Sequence, residues 1–335
     1  MTRPTIYDVA AAAGVSVTTV SHVLNGKGRV DPATRIRVTQ VAQRLGYRAN
    51  RHARGLRSGR SHALALLLPV GDDSRSDEAL RLDFYMRLAT TAAATAFTQE
   101  YALLLLPPKI VADGARDFMI DGGIVVDPSP EDPWVSLLLG RNLPVVTIER
   151  DLGRPDDPWY VASDAEVSAR QMLDHLAACG AERIALLVPS SRWGWASETL
   201  VAYRAWVAER GLEPWVVPVA MAPGERSADE VTRRLLAGDR PPDAVFAVAA
   251  RFVPGVLRAA KASGRKVPED LLIAAGVDSA QAREGDPPVT ALDLHPERQA
   301  EAAVEMLLAR LNGEPVQGPR HIPATLRVRA STDVV

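Results

Sequence analysis

The chain has 335 residues, of which 47% are apolar, so it is long enough for two or three domains and is not disordered. Its single cysteine, Cys179, excludes an intramolecular disulfide framework, and no cluster of Cys and His indicates a metal site or another cofactor. The amino terminus lacks an apolar signal segment and the apolar runs have the length of strands, so we expect a cytoplasmic protein with no membrane partner.

The net charge of −2 conceals an asymmetry along the chain. Residues 1–60 contain eleven Arg or Lys and two Asp, whereas the remainder contains 28 basic and 39 acidic residues. A solvated run of charge is the simpler explanation, but this excess of positive charge in a short segment favours a surface that binds a polyanion. We therefore expect a basic head with an anionic partner, followed by an acidic body.

Three short helices are predicted in the head. Each begins at a side chain that can cap it, namely Thr5, Ser16 and Asp31. Asp8 completes a capping box with Thr5, and Gly14 and Gly46 end the first and third helices. Two short helices joined by a turn that contains Gly form a helix-turn-helix unit, whose second helix enters the major groove of DNA.

Residues 6–61 resemble, nearly position for position, the head of the lactose-repressor (LacI/GalR) family, and the stretch GVSVTTVSHVLNGKGRV (14–30) lies at the centre of the match. The resemblance places Val17, Thr18 and His22 at base-reading positions. Val17 can contact a thymine methyl group, and Thr18 can bond to a base edge or a phosphate. An ordinary exposed valine remains the alternative for Val17.

His22 stands where many members of the family have Arg. Arg donates two hydrogen bonds to a guanine, whereas His offers one. We therefore predict a looser or shifted preference at that base pair, stronger below about pH 6.5, where the ring is charged. The head residues that the resemblance assigns to DNA are Thr5, Tyr7, Ser16, Val17, Thr18, Thr19, Ser21, His22, Asn25 and Tyr47.

Residues 50–60 resemble the hinge helix and linker of the family, and the resemblance assigns the following hinge residues to DNA. Asn50 can cap the helix, and Ala53 is small enough for two such helices to approach closely. Its basic residues, at a spacing of three, are Arg51, Arg54 and Arg57. Leu56 is expected to enter a base step of the minor groove as an apolar wedge, with a simple anchor onto the body as the alternative. Paired hinge helices imply a homodimer on palindromic operator DNA.

In the body, apolar runs of strand length alternate with amphipathic helical stretches. This alternation predicts parallel sheets covered by helices on both faces, with ligands at the carboxyl ends of the strands. The runs are 63–69, 101–106, 122–127, 144–148, 183–189, 243–249 and 271–277. The helical stretches are 164–179, 197–210, 227–237 and 297–311.

Three segments, LDFYMRLA (82–89), LPVVTIER (143–150) and VPEDLLIAAGVDS (267–279), make the body similar to the effector domain of the same family. The resemblance implies an all-α helix-turn-helix head, a hinge helix and an α/β body of the periplasmic-binding-protein type with two lobes. The implied domains are a DNA-binding domain at 1–49, a hinge at 50–60 and an effector-binding and dimerisation domain at 61–335. The lobes are expected at about 61–161 with 292–321 and at about 162–291 with 322–335.

The resemblance also assigns residues to the cleft between the lobes. They are Phe84, Tyr85, Asp127, Glu149, Trp193, Trp195, Thr199 and Asp278. The chain departs from the family at Thr199, where an Arg is common, and at Ala249-Ala250, where an Asn-Asp pair is usual. Charged hydrogen bonds recognise sugar hydroxyls, so the ligand is smaller or more apolar, a sugar in another pose, or absent. The two tryptophans either stack on a ligand or pack the loop, and we expect an altered effector site.

No P-loop, dinucleotide-binding, HExxH or GxSxG pattern occurs, which argues against an enzyme. The resemblance implies a nucleoid-associated transcriptional regulator, in most members a repressor. It would bind operator DNA as a dimer and respond to a small-molecule effector such as a sugar or a related metabolite. The alternative is a DNA-binding regulator whose body no longer binds such an effector and docks a protein partner instead.

Overall fold

The computed structural model describes residues 4–24, 28–47, 60–69, 83–106, 118–315 and 317–334. The chain divides into two compact units, Met1–His62 and Ala63–Val335, which correspond to the head and the body. Within these described ranges, none of the helices is both long enough and apolar enough to cross a membrane.

The described part of the head consists of helices α1 (Ile6–Ala13), α2 (Val17–Leu24) and α3 (Pro32–Arg44). The capping box of α1 is confirmed, because the hydroxyl of Thr5 accepts a hydrogen bond from the Asp8 N–H while the Asp8 carboxylate accepts one from the Thr5 N–H at 2.7 Å. The N–H of Thr19 donates to Ser16 Oγ at 3.1 Å, which confirms the cap of α2. Asp31 caps α3 as predicted.

A small apolar core holds the three helices together. Its buried residues are Val9, Ala10, Ala13, Val20, Val23, Val38, Val41 and Ala42. Their spacing of three or four residues along each helix is the spacing that places side chains on one face. Helix α2 therefore buries one face and leaves the other in solvent.

The described strands of the body are, in chain order, β1 (Ala63–Leu67), β2 (Ala102–Leu106), β3 (Gly122–Val126), β4 (Val145–Ile148), β5 (Tyr160–Ser163), β6 (Ile184–Pro189), β7 (Trp215–Val219), β8 (Ala244–Ala247), β9 (Leu272–Ala275), β10 (Thr290–Asp293), β11 (Arg320–Ile322) and β12 (Thr325–Arg327). They form two six-stranded sheets, in the orders β11-β5-β4-β3-β1-β2 and β12-β10-β9-β8-β6-β7. All pairs are parallel except β10 with β12. The predicted parallel sheets are therefore confirmed.

The described helices of the body are α4 (Asp83–Thr98), α5 (Pro133–Gly140), α6 (Ala165–Ala178), α7 (Gly194–Glu209), α8 (Gly224–Leu236), α9 (Val253–Ala262), α10 (Ala280–Arg283) and α11 (Pro296–Leu311). They cover the sheets, so that strands such as β3, β4, β8 and β9 are buried along their whole length. This burial explains why these strands read as continuous apolar runs rather than as alternating ones.

Each sheet forms one lobe, and the chain passes between the lobes three times. It leaves the first lobe after Ser163, returns after Asp293 into α11, and enters the second lobe again at β12. Both of the first two crossings lie slightly later than the expected boundaries near 162 and 292. Five of the described strands were missing from the predicted runs, namely β5, β7, β10, β11 and β12. Strands β5 and β10 have four residues with polar ends, β11 and β12 have three residues each, and β7 is an edge strand interrupted by Pro218.

Candidate functional site

Helix α2 carries the three side chains at the predicted base-reading positions. Thr18 and His22 are exposed, and Val17 is half-buried. Of the other predicted residues, Thr5, Tyr7 and Ser16 are exposed and Thr19 and Tyr47 are half-buried. Ser21 differs because only 7% of it is exposed, so the structure places it towards the core of the head.

The ring of His22 lies against the backbone that follows α2. A Cβ atom added at Gly28 would lie 2.8 Å from Nδ1 of His22, and Gly28 itself has a φ of +74°. Both observations favour glycine at this position, since other residues rarely adopt this φ. The predicted contacts at Asn25, Asn50, Arg51, Ala53, Arg54, Leu56 and Arg57 lie outside the described residues.

A cavity lies between the two lobes of the body, at the carboxyl ends of the strands, and we term it the interlobe cavity. From the first lobe it is lined by Phe84, Tyr85, Asp127, Ile148, Glu149 and Gln299. From the second lobe its wall includes Trp193, Trp195, Met221, Val248, Ala250 and Arg251. Its empty volume is about 700 Å³, a figure that includes space open to solvent.

Two carboxyl groups at the cavity wall come from the ends of neighbouring strands. Asp127 follows β3 and Glu149 follows β4, and both have left-handed backbone, with φ of 45° and 67°. This conformation is costly for a residue other than Gly, and such strain clusters at functional sites. The two side chains turn into the cavity from adjacent strands of the first sheet.

Burial shifts the titration of both carboxyl groups. Removal from water raises the pKa of Asp127 to about 6, although a hydrogen bond from the Tyr85 hydroxyl at 2.8 Å opposes the shift. Burial, reinforced by the charge of Asp127, raises the pKa of Glu149 to about 8. The pKa of Tyr85 is raised as well, chiefly by burial, so its hydroxyl keeps the proton that it donates to Asp127.

Buried polar atoms at the cavity wall that have no hydrogen-bond partner among the described residues include Oε2 of Glu149, Oε1 of Gln299 and Nε1 of Trp195. Buried polar atoms in native proteins are almost always paired, so several unpaired atoms around one cavity indicate a site that a ligand completes. No group of side chains in the described part of the chain has the arrangement of a metal site.

Six of the eight predicted cleft residues line the interlobe cavity, namely Phe84, Tyr85, Asp127, Glu149, Trp193 and Trp195. The structure places the other two outside this lining: Thr199 is fully buried within α7, and Asp278 is almost fully buried as well. The Asp278 carboxylate is held by Arg329, whose Nη2 donates to both of its oxygens at 3.0 Å. That ion pair ties Arg329, near the carboxyl end of the chain, to the loop that follows β9, and Arg283 lies 3.5 Å from the same carboxylate.

Two polar residues of the cavity were missed from the sequence, Arg251 and Gln299. Arg251 directly follows the alanine pair at 249–250, which replaces a polar pair of the family, and a single Arg after two alanines forms no motif. Its Nη1 donates to the carbonyl of Met221 at 2.9 Å. Gln299 lies in the first turn of α11, and its place in the cavity depends on the return of the chain to the first lobe, which local pattern does not reveal.

Comparisons with known families match both parts of the chain. A model described as bacterial regulatory proteins, lacI family, matches residues 5–50, and a model described as a periplasmic binding protein-like domain matches residues 173–332. The chain is 31% identical to the HTH-type transcriptional regulator CelR of Thermobifida fusca, with 98% of each protein covered. It is also 31% identical to the HTH-type transcriptional regulator PtxS of Pseudomonas plecoglossicida, over 99% of this chain and 97% of the relative.

Two solved structures are similar over the whole length. A complex of the transcriptional regulator CelR with cellobiose is 27% identical, with a TM-score of 0.71 over 98% of this chain and 100% of the other. The lac repressor dimer bound to operator and the anti-inducer ONPF has a TM-score of 0.82 at 22% identity, over 99% of each chain, which is a likeness of fold. The relatives are named as transcriptional regulators and not as enzymes.

Proposed function

The chain belongs to the LacI family of bacterial transcriptional regulators, and on that premise we propose that it is a homodimeric repressor whose affinity for a palindromic operator is set by a small molecule in the interlobe cavity. It acts on the nucleoid in the cytoplasm. The observation that carries the proposal is the set of unpaired buried polar atoms around the interlobe cavity, on the same chain as a helix-turn-helix head.

Control of DNA binding requires that the ligand distinguishes two arrangements of the lobes. The cavity has walls from both lobes, so a ligand in it contacts both. Ion pairs also join the lobes beside it: Arg150 with Glu198 at 3.7 Å, and Arg283 with Asp83, whose Oδ1 accepts a hydrogen bond from the Ala280 N–H at 2.9 Å. A ligand that shifts the lobes changes the separation of the two hinge segments (50–60) of a dimer, and with it their stability on DNA.

The unpaired polar atoms of the interlobe cavity argue against the alternative in which the body only binds a protein partner. Buried polar atoms without a hydrogen-bond partner destabilise the fold unless a ligand pairs with them, and a domain that only binds a protein at its surface would not need them. The cellobiose bound by the related CelR supports a small polar ligand of some kind. The replacement of the usual Asn-Asp pair by Ala249-Ala250 supports a ligand different from the common sugars.

Selection of bound duplexes from a random pool tests the proposed function. We expect a palindrome with two half-sites, read by a dimer. Leu56→Ala should lower affinity for that palindrome while leaving binding to unrelated DNA nearly unchanged, because the wedge acts only where the duplex is bent. Selected sequences without symmetry would count against the dimer, and equal losses on both kinds of DNA would count against the wedge.

A further inference from the structure

Resting on the proposed function, we infer that the ligand of the interlobe cavity is a small hydroxylated amine, whose ammonium group binds against Asp127 and Glu149. The inference concerns the chemical class of the ligand. It depends on the charges at the cavity wall, on the acceptor oxygens left unpaired there, and on the unpaired N–H donor of Trp195.

The charges at the cavity wall do not balance. Asp127 and Glu149 contribute two carboxyl groups, and neither forms an ion pair with any residue in the described part of the chain. Arg251 is the cation among the lining residues, and its guanidinium is anchored on the Met221 carbonyl at 2.9 Å. With both carboxyl groups ionised, the wall therefore carries one net negative charge, which one positive charge on a ligand neutralises.

The open acceptors are fixed in place by a chain of hydrogen bonds. Nε2 of Gln299 donates to the Leu294 carbonyl at 3.1 Å and to Ser163 Oγ at 2.9 Å, so Oε1 is the amide atom left unpaired. Ser163 in turn donates from its hydroxyl and its N–H to Oε1 of Glu149, at 2.8 and 3.1 Å. Gln299 Oε1 and Glu149 Oε2 are thus both held as acceptors, and an ammonium group, with three N–H donors, suits them together with Asp127.

The titration of the two carboxyl groups agrees with this assignment. Their pKa values are raised to about 6 and about 8 mainly by burial, and no cation is among the causes of either shift. Without a ligand, Glu149 holds a proton at neutral pH. A cation bound beside it restores the ionised form, since an opposite charge lowers the pKa of a carboxyl group.

The aromatic residues of the cavity wall are the reason for assigning hydroxyl groups and an apolar face to the ligand. Nε1 of Trp195 is an unpaired buried donor, so the ligand also carries an acceptor oxygen. The rings of Phe84 and Tyr85 meet edge to face, with centroids 5.4 Å apart, and Trp193 lines the opposite lobe. Aromatic faces bind both the C–H face of a polyol and a nearby cation.

Matched pairs of compounds test the inference. The probes are glucosamine with glucose and galactosamine with galactose, titrated into the full chain at pH 7 by calorimetry. We expect at least one amine to bind about tenfold more tightly than its neutral counterpart, which is the range of a charge-assisted hydrogen bond. Proton release on binding of the amine, measured in two buffers of different ionisation enthalpy, should report the ionisation of Glu149.

Variants locate the effect. Glu149→Gln replaces the unpaired acceptor oxygen by an N–H donor and should abolish the preference for the amine. If Glu149→Gln does not fold, Asp127→Asn is used in its place and should weaken the preference. Glu182→Gln, the same change at a side chain that is 84% exposed, is the matched control and should keep the preference. Equal or tighter binding of the neutral sugars, no binding of any of the four probes, or a preference that survives in Glu149→Gln overturns the inference. Binding of the selected operator by the same samples without ligand judges the proposed function separately.

Discussion

The head and the body present their functional side chains in opposite ways. On α2, the side chains of Thr18 and His22 are exposed, and the Thr19 N–H at the start of the helix donates to Ser16 Oγ. In the interlobe cavity, Glu149 and Gln299 are almost fully buried and each keeps one polar atom unpaired. Charges of the head therefore act through water and are screened by salt, whereas those of the cavity act at low dielectric and respond to pH and to a ligand.

The largest expected difference between the two regions is in how their binding affinities depend on ionic strength. Raising the salt concentration from 50 to 200 mM should lower operator affinity by about 10³-fold or more, because the basic head displaces counterions from DNA phosphates. Affinity for a ligand of the interlobe cavity should fall by less than about threefold, because buried charges are poorly screened. Fluorescence titrations of operator DNA and of the ligand into the same protein sample measure this contrast. Similar dependence of the two affinities on salt concentration would contradict it.

Exchange of a single exposed side chain should change what the head reads. His22→Arg supplies a bidentate donor and should raise the preference for guanine at one base pair about tenfold, in selection experiments on both proteins. His321→Arg, the same change at an exposed position on β11 of the body, is the control and should leave the preference unchanged. An identical base preference in the wild type and His22→Arg would show that position 22 does not read a base.

The buried carboxyl groups should make the stability of the body depend on pH. The pKa of Glu149 is about 8 in the folded protein against 4.5 for the free side chain, so between these values the folded state keeps a proton that the unfolded state has lost. Stability of the ligand-free body should therefore fall as pH rises through this range. Glu149→Gln should remove part of that loss, raising the Tm at pH 8 by a few degrees more than at pH 5.

The measurement is selective because all six tryptophans follow residue 60, so tryptophan fluorescence reports unfolding of the body alone. Asp127 contributes a loss of the same sign over a lower range, up to about pH 6. Glu182→Gln should show the wild-type dependence on pH. A Tm difference between wild type and Glu149→Gln that does not vary with pH would contradict the assigned burial of this carboxyl group.

The head and the cavity also differ in how far the sequence could predict them. The caps at Thr5 and Asp31 and the apolar face of α2 are local features, and the structure confirms them. Long apolar runs such as 122–127 also identify buried strands without any knowledge of the fold.

The cavity depends on contacts between distant segments, and there the predictions were less complete. Asp278 was placed in the cavity because it ends a strand, yet it pairs with Arg329, which lies far away in the chain. Gln299 was not predicted, because its link to Glu149 runs through Ser163 at the end of β5, which is 136 residues earlier in the chain. Such contacts follow from the threefold exchange of the chain between lobes, and no local pattern encodes them.

Coupling between the interlobe cavity and the head is the central claim, and the operator affinity of the full chain measures it directly. The selected operator is titrated with and without a saturating amount of the tighter-binding amine, for the wild type and for Glu149→Gln. We expect the amine to change the operator affinity of the wild type by about fivefold or more, and that of the variant not at all at the same concentration. An amine that binds the wild-type cavity while the operator affinity stays constant would contradict the account.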